Sequence, residues 1–429
     1  MANNTITAPK GFFATGVSCG IKQSGRPDLG LIVCPTGATA AAAFTTNKIV
    51  SAAIEVSRKH IKSQKIYAVV VNSGCANACT GKQGVENAIK MCAKTAYSLS
   101  DMQETRLLRF ARNDKKNAIR NTRYAERDIL VASTGIIGHQ LPMKKITAGI
   151  AKAAKALSDL PKAGLSFAKA IMTTDTKPKQ TVRQLNLEAG VRGRGSSVTI
   201  AGVVKGAGMI APNLATMLCF ITTDVAITKP LLAKALKDAV GNSLNKLTVD
   251  GHQSTNDTAI ILASGLAGNR PIVNECPRYK KFARALTELC DDLARQMALD
   301  AEGATRMFKV VVRGAATKAD AARAARAVAN YPLVKCAVHG CDPNWGRIIC
   351  AVGSAGVKLE PGKLSCKIGG ITVFKNGAPV KFDEKKASKI ISQPEHTITV
   401  DLGAGKQGDF CYGCDLSAEY VRVNAEYST

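Results

Sequence analysis

The chain has 429 residues, 46% of them apolar and 21% charged, the composition of a globular protein with room for two or three ordinary domains. No apolar run approaches the roughly 18 residues of a membrane span, and the polar first residues lack the apolar stretch of a secretory signal. Lysine and arginine number 59 against 32 acidic residues, a formal charge of +27 that suits an anionic partner or substrate, whereas 5% aromatic residues supply little for stacking on single-stranded bases. Fourteen cysteines without a signal segment read as reduced thiols, which points to the cytoplasm.

In chain order, β-branched runs predict strands at 31–34, 66–71, 129–132, 218–222, 260–263, 309–312 and 397–402. Ala/Lys-rich stretches predict helices at 84–98, 145–157, 230–240, 279–299 and 317–328. Within 279–299, Phe282, Leu286, Leu289, Leu293 and Met297 recur at three- and four-residue steps, one apolar stripe of an amphipathic helix. This mixture points to an α/β or α+β fold. Segment 106–127 differs: it carries eight basic and two acidic residues. Arg106, Arg109, Arg112, Lys116, Arg120, Arg123 and Arg127 would share one stripe of a helix, read as a solvated surface peripheral to catalysis.

Small-residue loops stand at several strand ends. Asn72-Ser73-Gly74-Cys75-Ala76-Asn77 follows one run and Ser133-Thr134-Gly135 another. Backbone N–H groups of such loops can hold an anion or oxyanion, though a plain turn also asks for glycine. The richest stretch runs from Lys205 through Gly206, Gly208 and Pro212 to Ala215 and Thr216, at the mouth of an apolar run. A threonine there serves β-propensity, or it serves a self-cleaving nucleophile enzyme. In the second case its hydroxyl attacks the preceding carbonyl, and hydrolysis of the ester frees an α-amine as general base.

With these motifs the sequence resembles the glutamate N-acetyltransferase family, also called ornithine acetyltransferase, of arginine biosynthesis. The resemblance spans the chain. It is carried by the 205–218 loop, by Val131-Ala132-Ser133-Thr134-Gly135-Ile136-Ile137-Gly138 and by Met172-Thr173-Thr174-Asp175-Thr176. Further motifs are Ser254-Thr255-Asn256-Asp257-Thr258, Glu302-Gly303-Ala304-Thr305, Asp342-Pro343-Asn344-Trp345-Gly346-Arg347 and Asn424-Ala425-Glu426-Tyr427-Ser428-Thr429. It implies a layered α/β sandwich of two associated halves, an autoprocessed enzyme like those with an N-terminal nucleophile. Cleavage between Ala215 and Thr216 would give chains 1–215 and 216–429, assembled as two of each. Thr216 would carry the acetyl group, Thr134 and Gly135 would donate to the oxyanion, and Thr173, Lys205, Thr216, Glu302, Asn424 and Thr429 would contact substrate. The implied reaction moves acetyl from N2-acetylornithine to glutamate. No metal and no cofactor is implied, and acetyl-CoA stays open as a co-substrate.

The chain departs from the family's usual pattern at His252, Gln253, Ala301, Arg306, Cys75 and Ala207, which bears on substrate preference. Two readings compete with acetyl transfer. One is an N-terminal-nucleophile amidohydrolase or aminopeptidase, with water as acceptor. The other is a basic nucleic-acid-binding protein, which the low aromatic content and the lack of a recognisable module disfavour. Cys411 and Cys414 form a single CxxC without a second pair and read as incidental thiols. Arg192-Gly193-Arg194-Gly195 reads as a hairpin turn, and His339 and Trp345 as parts of a tight turn and core anchor.

Overall fold

The structure, a computed structural model, describes residues 3–103, 124–187, 196–211 and 217–426. Its first sheet holds β1 (Phe13–Val17), β2 (Leu29–Phe44), β3 (Ile66–Cys75), β4 (Ile129–Ile136), β5 (Lys179–Leu187), β6 (Ser196–Lys205), β7 (Leu218–Thr223) and β8 (Thr258–Ala263). Their order is β4-β3-β2-β8-β7-β6-β5, with β1 on β2. β2 carries the chain across. Its residues 29–33 pair with β3, and after a register shift between Val33 and Ala38 its residues 39–44 pair with β8. The two halves of the sheet then close face to face. Val69, Val71, Leu130 and Ala132 from one half share a core with Leu218, Phe220, Ile260 and Leu262 from the other.

Strand side chains alternate, so the outer faces need their own cover. Val70, Ile129 and Val131 pack on α1 (Ala52–His60), α2 (Gly81–Gln103) and α3 (Met143–Lys155). α4 (Pro161–Ile171) plugs the shared core, where Phe167 lies edge-on to Phe220 at 5.5 Å. Cys219, Ile221, Ala259 and Ile261 pack on α5 (Lys229–Asn242) and α6 (Pro277–Leu299), whose predicted stripe is buried in full. The layers therefore run helix, sheet, sheet, helix, the layered α/β sandwich that was expected.

A second sheet of β9 (Met307–Ala315), β10 (Ser365–Ile368), β11 (Ile371–Lys375), β12 (Ala378–Pro379), β13 (Glu395–Asp401) and β14 (Gln407–Cys414) runs in the order β12-β11-β10-β13-β9-β14. α7 (Lys318–Asn330), α8 (Pro332–His339), α9 (Trp345–Gly353) and α10 (Glu384–Ile391) go with this sheet, and Val328, Val338, Ile348 and Ile391 share its core with Phe308, Val310 and Val400. The other face lies on α6, where Tyr412 donates to Asp291 at 3.0 Å. α11 (Ala418–Glu426) follows, with no buried residue.

β6 and β7 pair along 200–205 and 218–223, so the expected cut at 215 and 216 falls between neighbouring strands of one sheet. Cys411 and Cys414 turn into different cores, because residues three apart on a strand face opposite ways. Arg106 to Arg123 lie outside the described residues. Arg127 does not extend a helical stripe: it sits in the 3-10 turn Glu126–Asp128, beyond an extended Ala125. Arg192 to Gly195 also lie outside them, between the antiparallel β5 and β6. Trp345 stacks on Phe374 at 5.2 Å, and Asn344 caps α9 by accepting from the Arg347 N–H. Among the described residues, no helix is long and apolar enough to cross a membrane.

Candidate active site

A cavity of ≈ 280 Å³ forms where the ends of β4 and β6 meet the loops before β5 and β9 and one side of α11. Thr134, Gly135, Thr173, Lys205, Glu302 and Asn424 all line it. Six of the residues singled out from the sequence are thus brought together from five separate segments. Ala215, Thr216 and Thr429 lie outside the described residues. Leu218, which opens β7, pairs with Lys205.

The end of β4 is tightly held. Gly135 has φ of +128° and pairs with Gly74, and an added Cβ would collide with the Gly74 backbone. Asn72, expected in an anion-holding loop, instead continues β3, and its side chain donates to Cys75 O at 2.8 Å and accepts from Ser133 Oγ at 2.7 Å. Asn256 Nδ2 donates to Ala76 O and Ser133 O, both at 2.7 Å. These buried amides spend their polarity on holding the two strand ends.

Lys205 is 2% exposed, and its Nζ donates to Thr173 Oγ1 at 3.2 Å. Burial presses its ammonium below the usual lysine range, while Asp175 and Asp257 pull the other way. Asp175 accepts from Thr173 N at 3.0 Å, Gly206 N at 2.8 Å and Lys179 Nζ at 2.5 Å. Burial raises its carboxyl, but Lys179 and Lys205 outweigh that and leave it below the ordinary range. Lys179 also pairs with Asp300 at 2.5 Å, so a buried carboxylate–ammonium–carboxylate row fixes the 173–179 loop against β6. Asp257 accepts from Met217 N at 3.0 Å, and burial drives its carboxyl well up.

Glu302 lines the same cavity as Lys205. Its N–H donates to Ala207 O at 2.9 Å, and its Oε2 accepts from Asn424 Nδ2 at 2.9 Å. Gly208 packs so close to this carboxylate that a Cβ would overlap it. Sequence reading missed Asp250 and Tyr420. Asp250 accepts from Met209 N at 2.6 Å and Ile210 N at 2.9 Å, and from Tyr420 Oη at 3.2 Å, so it ties the 206–211 loop to α11. Neither residue belongs to a motif, and only the fold brings them together. Of the departures from the family pattern, His252 and Ala207 line the cavity, whereas Arg306 donates to Val338 O and His339 O.

A family model described as the ArgJ family matches residues 13–429. The chain belongs to the ArgJ family. One ArgJ-family relative, the arginine biosynthesis bifunctional protein ArgJ of Symbiobacterium thermophilum, is 42% identical over 99% of this chain and 98% of its own length. The protein of the same name from Geobacillus kaustophilus is 40% identical over 100% of this chain and 97% of its own. A solved ornithine acetyltransferase from Mycobacterium tuberculosis, complexed with ornithine, is 34% identical, covers 51% of this chain and 98% of its own, and has a TM-score of 0.41.

Proposed function

We infer that this chain, an acyltransferase of arginine biosynthesis, moves an acetyl group from N2-acetylornithine to glutamate by a ping-pong route. The observation that carries the reading is one cavity lined by Lys205, Glu302, Thr134 and Gly135 together. It offers a cation for an α-carboxylate, an anion for an amine and donors for an oxyanion. Both substrates are amino acids, so one pocket serves both half-reactions, with Thr173, Asn424 and Thr429 as further contacts. The naming of the ArgJ relatives for arginine biosynthesis supports the same pathway.

In the first half-reaction the Thr216 hydroxyl attacks the acetyl carbonyl, the amide C–N bond breaks, and ornithine leaves with a proton on its amine. In the second, the glutamate amine attacks the acetyl ester and the hydroxyl is restored. Thr216 is freed beforehand by attack of its own hydroxyl on the Ala215 carbonyl and hydrolysis of the resulting ester, which leaves 1–215 and 216–429. Acetyl-CoA serves as a second donor in this reading, and two copies of each fragment assemble in the cytoplasm. Free cysteines throughout the described residues fit a reducing compartment.

Purified protein given N2-acetylornithine is expected to release ornithine in proportion to glutamate, with parallel lines in double-reciprocal plots. Release at an undiminished rate without glutamate would make the protein a hydrolase instead.

A further inference from the structure

Beside the transfer site lies a larger cavity, of ≈ 640 Å³. The two share Thr173, and the larger is also bounded by Gly74 and Ile136, the register partner and chain neighbour of Gly135. Lys22, Arg26 and Lys169 line it, and no acidic residue does among those described. The loop that carries two of these cations is built in place. Asp28, 0% exposed, accepts from Cys19 N at 2.7 Å, Ile21 N at 2.6 Å and Lys22 N at 3.1 Å, so its charge is spent on the backbone. Lys22 Nζ donates to Pro27 O at 2.8 Å and to Met172 O at 2.7 Å. Those bonds tie the loop to the residue before Thr173 and leave one of three N–H groups for the cavity. Burial pulls the Lys22 ammonium down to about 8, with Asp28 opposing and Lys205 and Arg26 adding to the fall. An arriving anion would relieve this crowding of positive charge.

In the acetyl-transfer reading the smaller cavity takes the acetylated amino acid, which leaves the larger one for a different ligand. We propose that it is a subsite for a phosphate-bearing ligand, whose di- or polyphosphate group sits among Lys22, Arg26 and Lys169 while the rest of the molecule reaches toward Thr173. Oxyanions of that charge density match a cluster of convergent ammonium and guanidinium donors. Two sources share this chemistry: an acyl thioester that carries phosphates on its leaving group, and a free polyphosphate that acts as an effector. Only the first rests on the acetyl-transfer reading.

Calorimetric titration of the purified enzyme with pyrophosphate tests the site without any chemistry. Arg26→Glu with Lys169→Glu is expected to weaken binding by at least about tenfold, while the charge-matched pair Lys381→Glu with Lys385→Glu, outside the cavity, changes it by less than about twofold. Transfer from N2-acetylornithine should stay within about threefold in both. No binding to the wild type, or equal weakening in both double variants, overturns the proposal. The source is read from acetyl transfer to glutamate with acetyl-CoA against the phosphate-free S-acetyl-N-acetylcysteamine. A KM about tenfold lower for acetyl-CoA, abolished by the Arg26 and Lys169 reversals, identifies a thioester leaving group. Pyrophosphate binding with neither thioester used identifies an effector, and each result upholds the anion subsite. Wild-type enzyme inactive with N2-acetylornithine would sink the transfer reading and leave the titration to stand alone.

Discussion

Thr134 is 5% exposed at a strand end where Gly135 can adopt its φ only for want of a Cβ. In the proposed mechanism Thr134 donates to the oxyanion, and a donor held that rigidly loses nothing to reorganisation as negative charge develops on a carbonyl oxygen. Thr134→Ala is therefore expected to lower turnover by about 10²–10³, roughly 3–4 kcal/mol, with a much smaller effect on KM. Steady-state kinetics decide it, and unchanged turnover removes Thr134 from the mechanism. Gly208 makes a second residue-scale case. A methyl there displaces the Glu302 carboxylate that Asn424 also holds. Gly208→Ala should raise KM for both amino acids by about tenfold, the worth of one charge-assisted contact, with an unaltered circular dichroism spectrum. A rise for only one substrate would separate the two half-reactions into different pockets.

At the scale of elements, β13 carries a liability that its sheet imposes. His396 is 5% exposed, stacks on Phe308 at 5.9 Å, and has both ring nitrogens without a partner among the described residues. Burial holds its pKa down to about 4, with Arg306 adding and Asp415 opposing. The folded protein then keeps a neutral ring, while the unfolded chain takes up a proton below about 6.5. Unfolded chain binds more protons between these values, so stability rises with pH there and falls as pH drops from 6.5 toward 4. The loss should approach about 2 kcal/mol at pH 5 and roughly 3 kcal/mol below pH 4. His396→Phe keeps the stacking and removes the titration, so urea midpoints of the variant should lose this share of the acid dependence. An acid limb identical to the wild type's would show that His396 is not its source.

For the whole molecule, the position of the expected cut matters more than its chemistry. Residues 215 and 216 lie between β6 and β7, which hold each other by a six-residue ladder and share a core with β3, β4 and β8. Breaking one peptide bond there removes no strand from its neighbours. Denaturing mass spectrometry should find fragments 1–215 and 216–429, while native mass spectrometry finds them together. Thr216→Ala should leave one intact chain, because in the proposed mechanism the same hydroxyl opens the peptide bond and takes the acetyl group. An intact 45.1 kDa wild-type chain with full transfer activity would dispose of the autoprocessing step.

What the sequence by itself determined was local and chemical. Each strand predicted from a β-branched run and each helix predicted from an Ala/Lys-rich stretch has its counterpart, because such a run or stripe has few ways to hide its apolar side chains, as Phe282 to Met297 on α6 show; the basic stripe expected over 106–127 has none among the described residues. Thr134, Gly135 and Lys205 were legible because small residues and a lysine stand at the ends of apolar runs, whereas Thr173, Glu302 and Asn424 were legible only through the family resemblance of their motifs. β6 carries strand propensity in Val198-Thr199-Ile200 and Val203-Val204, but Ala201 and Gly202 break the run, and cross-strand partners and the close packing of Leu289 and Leu293 on Gly202 make it continuous. Only the tertiary structure decided that β2 would bend two half-sheets into contact, that Asp250 would meet Tyr420 across 170 residues, and that Lys22 and Arg26 would line a basic cavity next to Thr173. A strand's pattern says which of its side chains turn inward. Which distant face they meet depends on how all the apolar faces close at once, and the site lies where those closures bring the loop ends together.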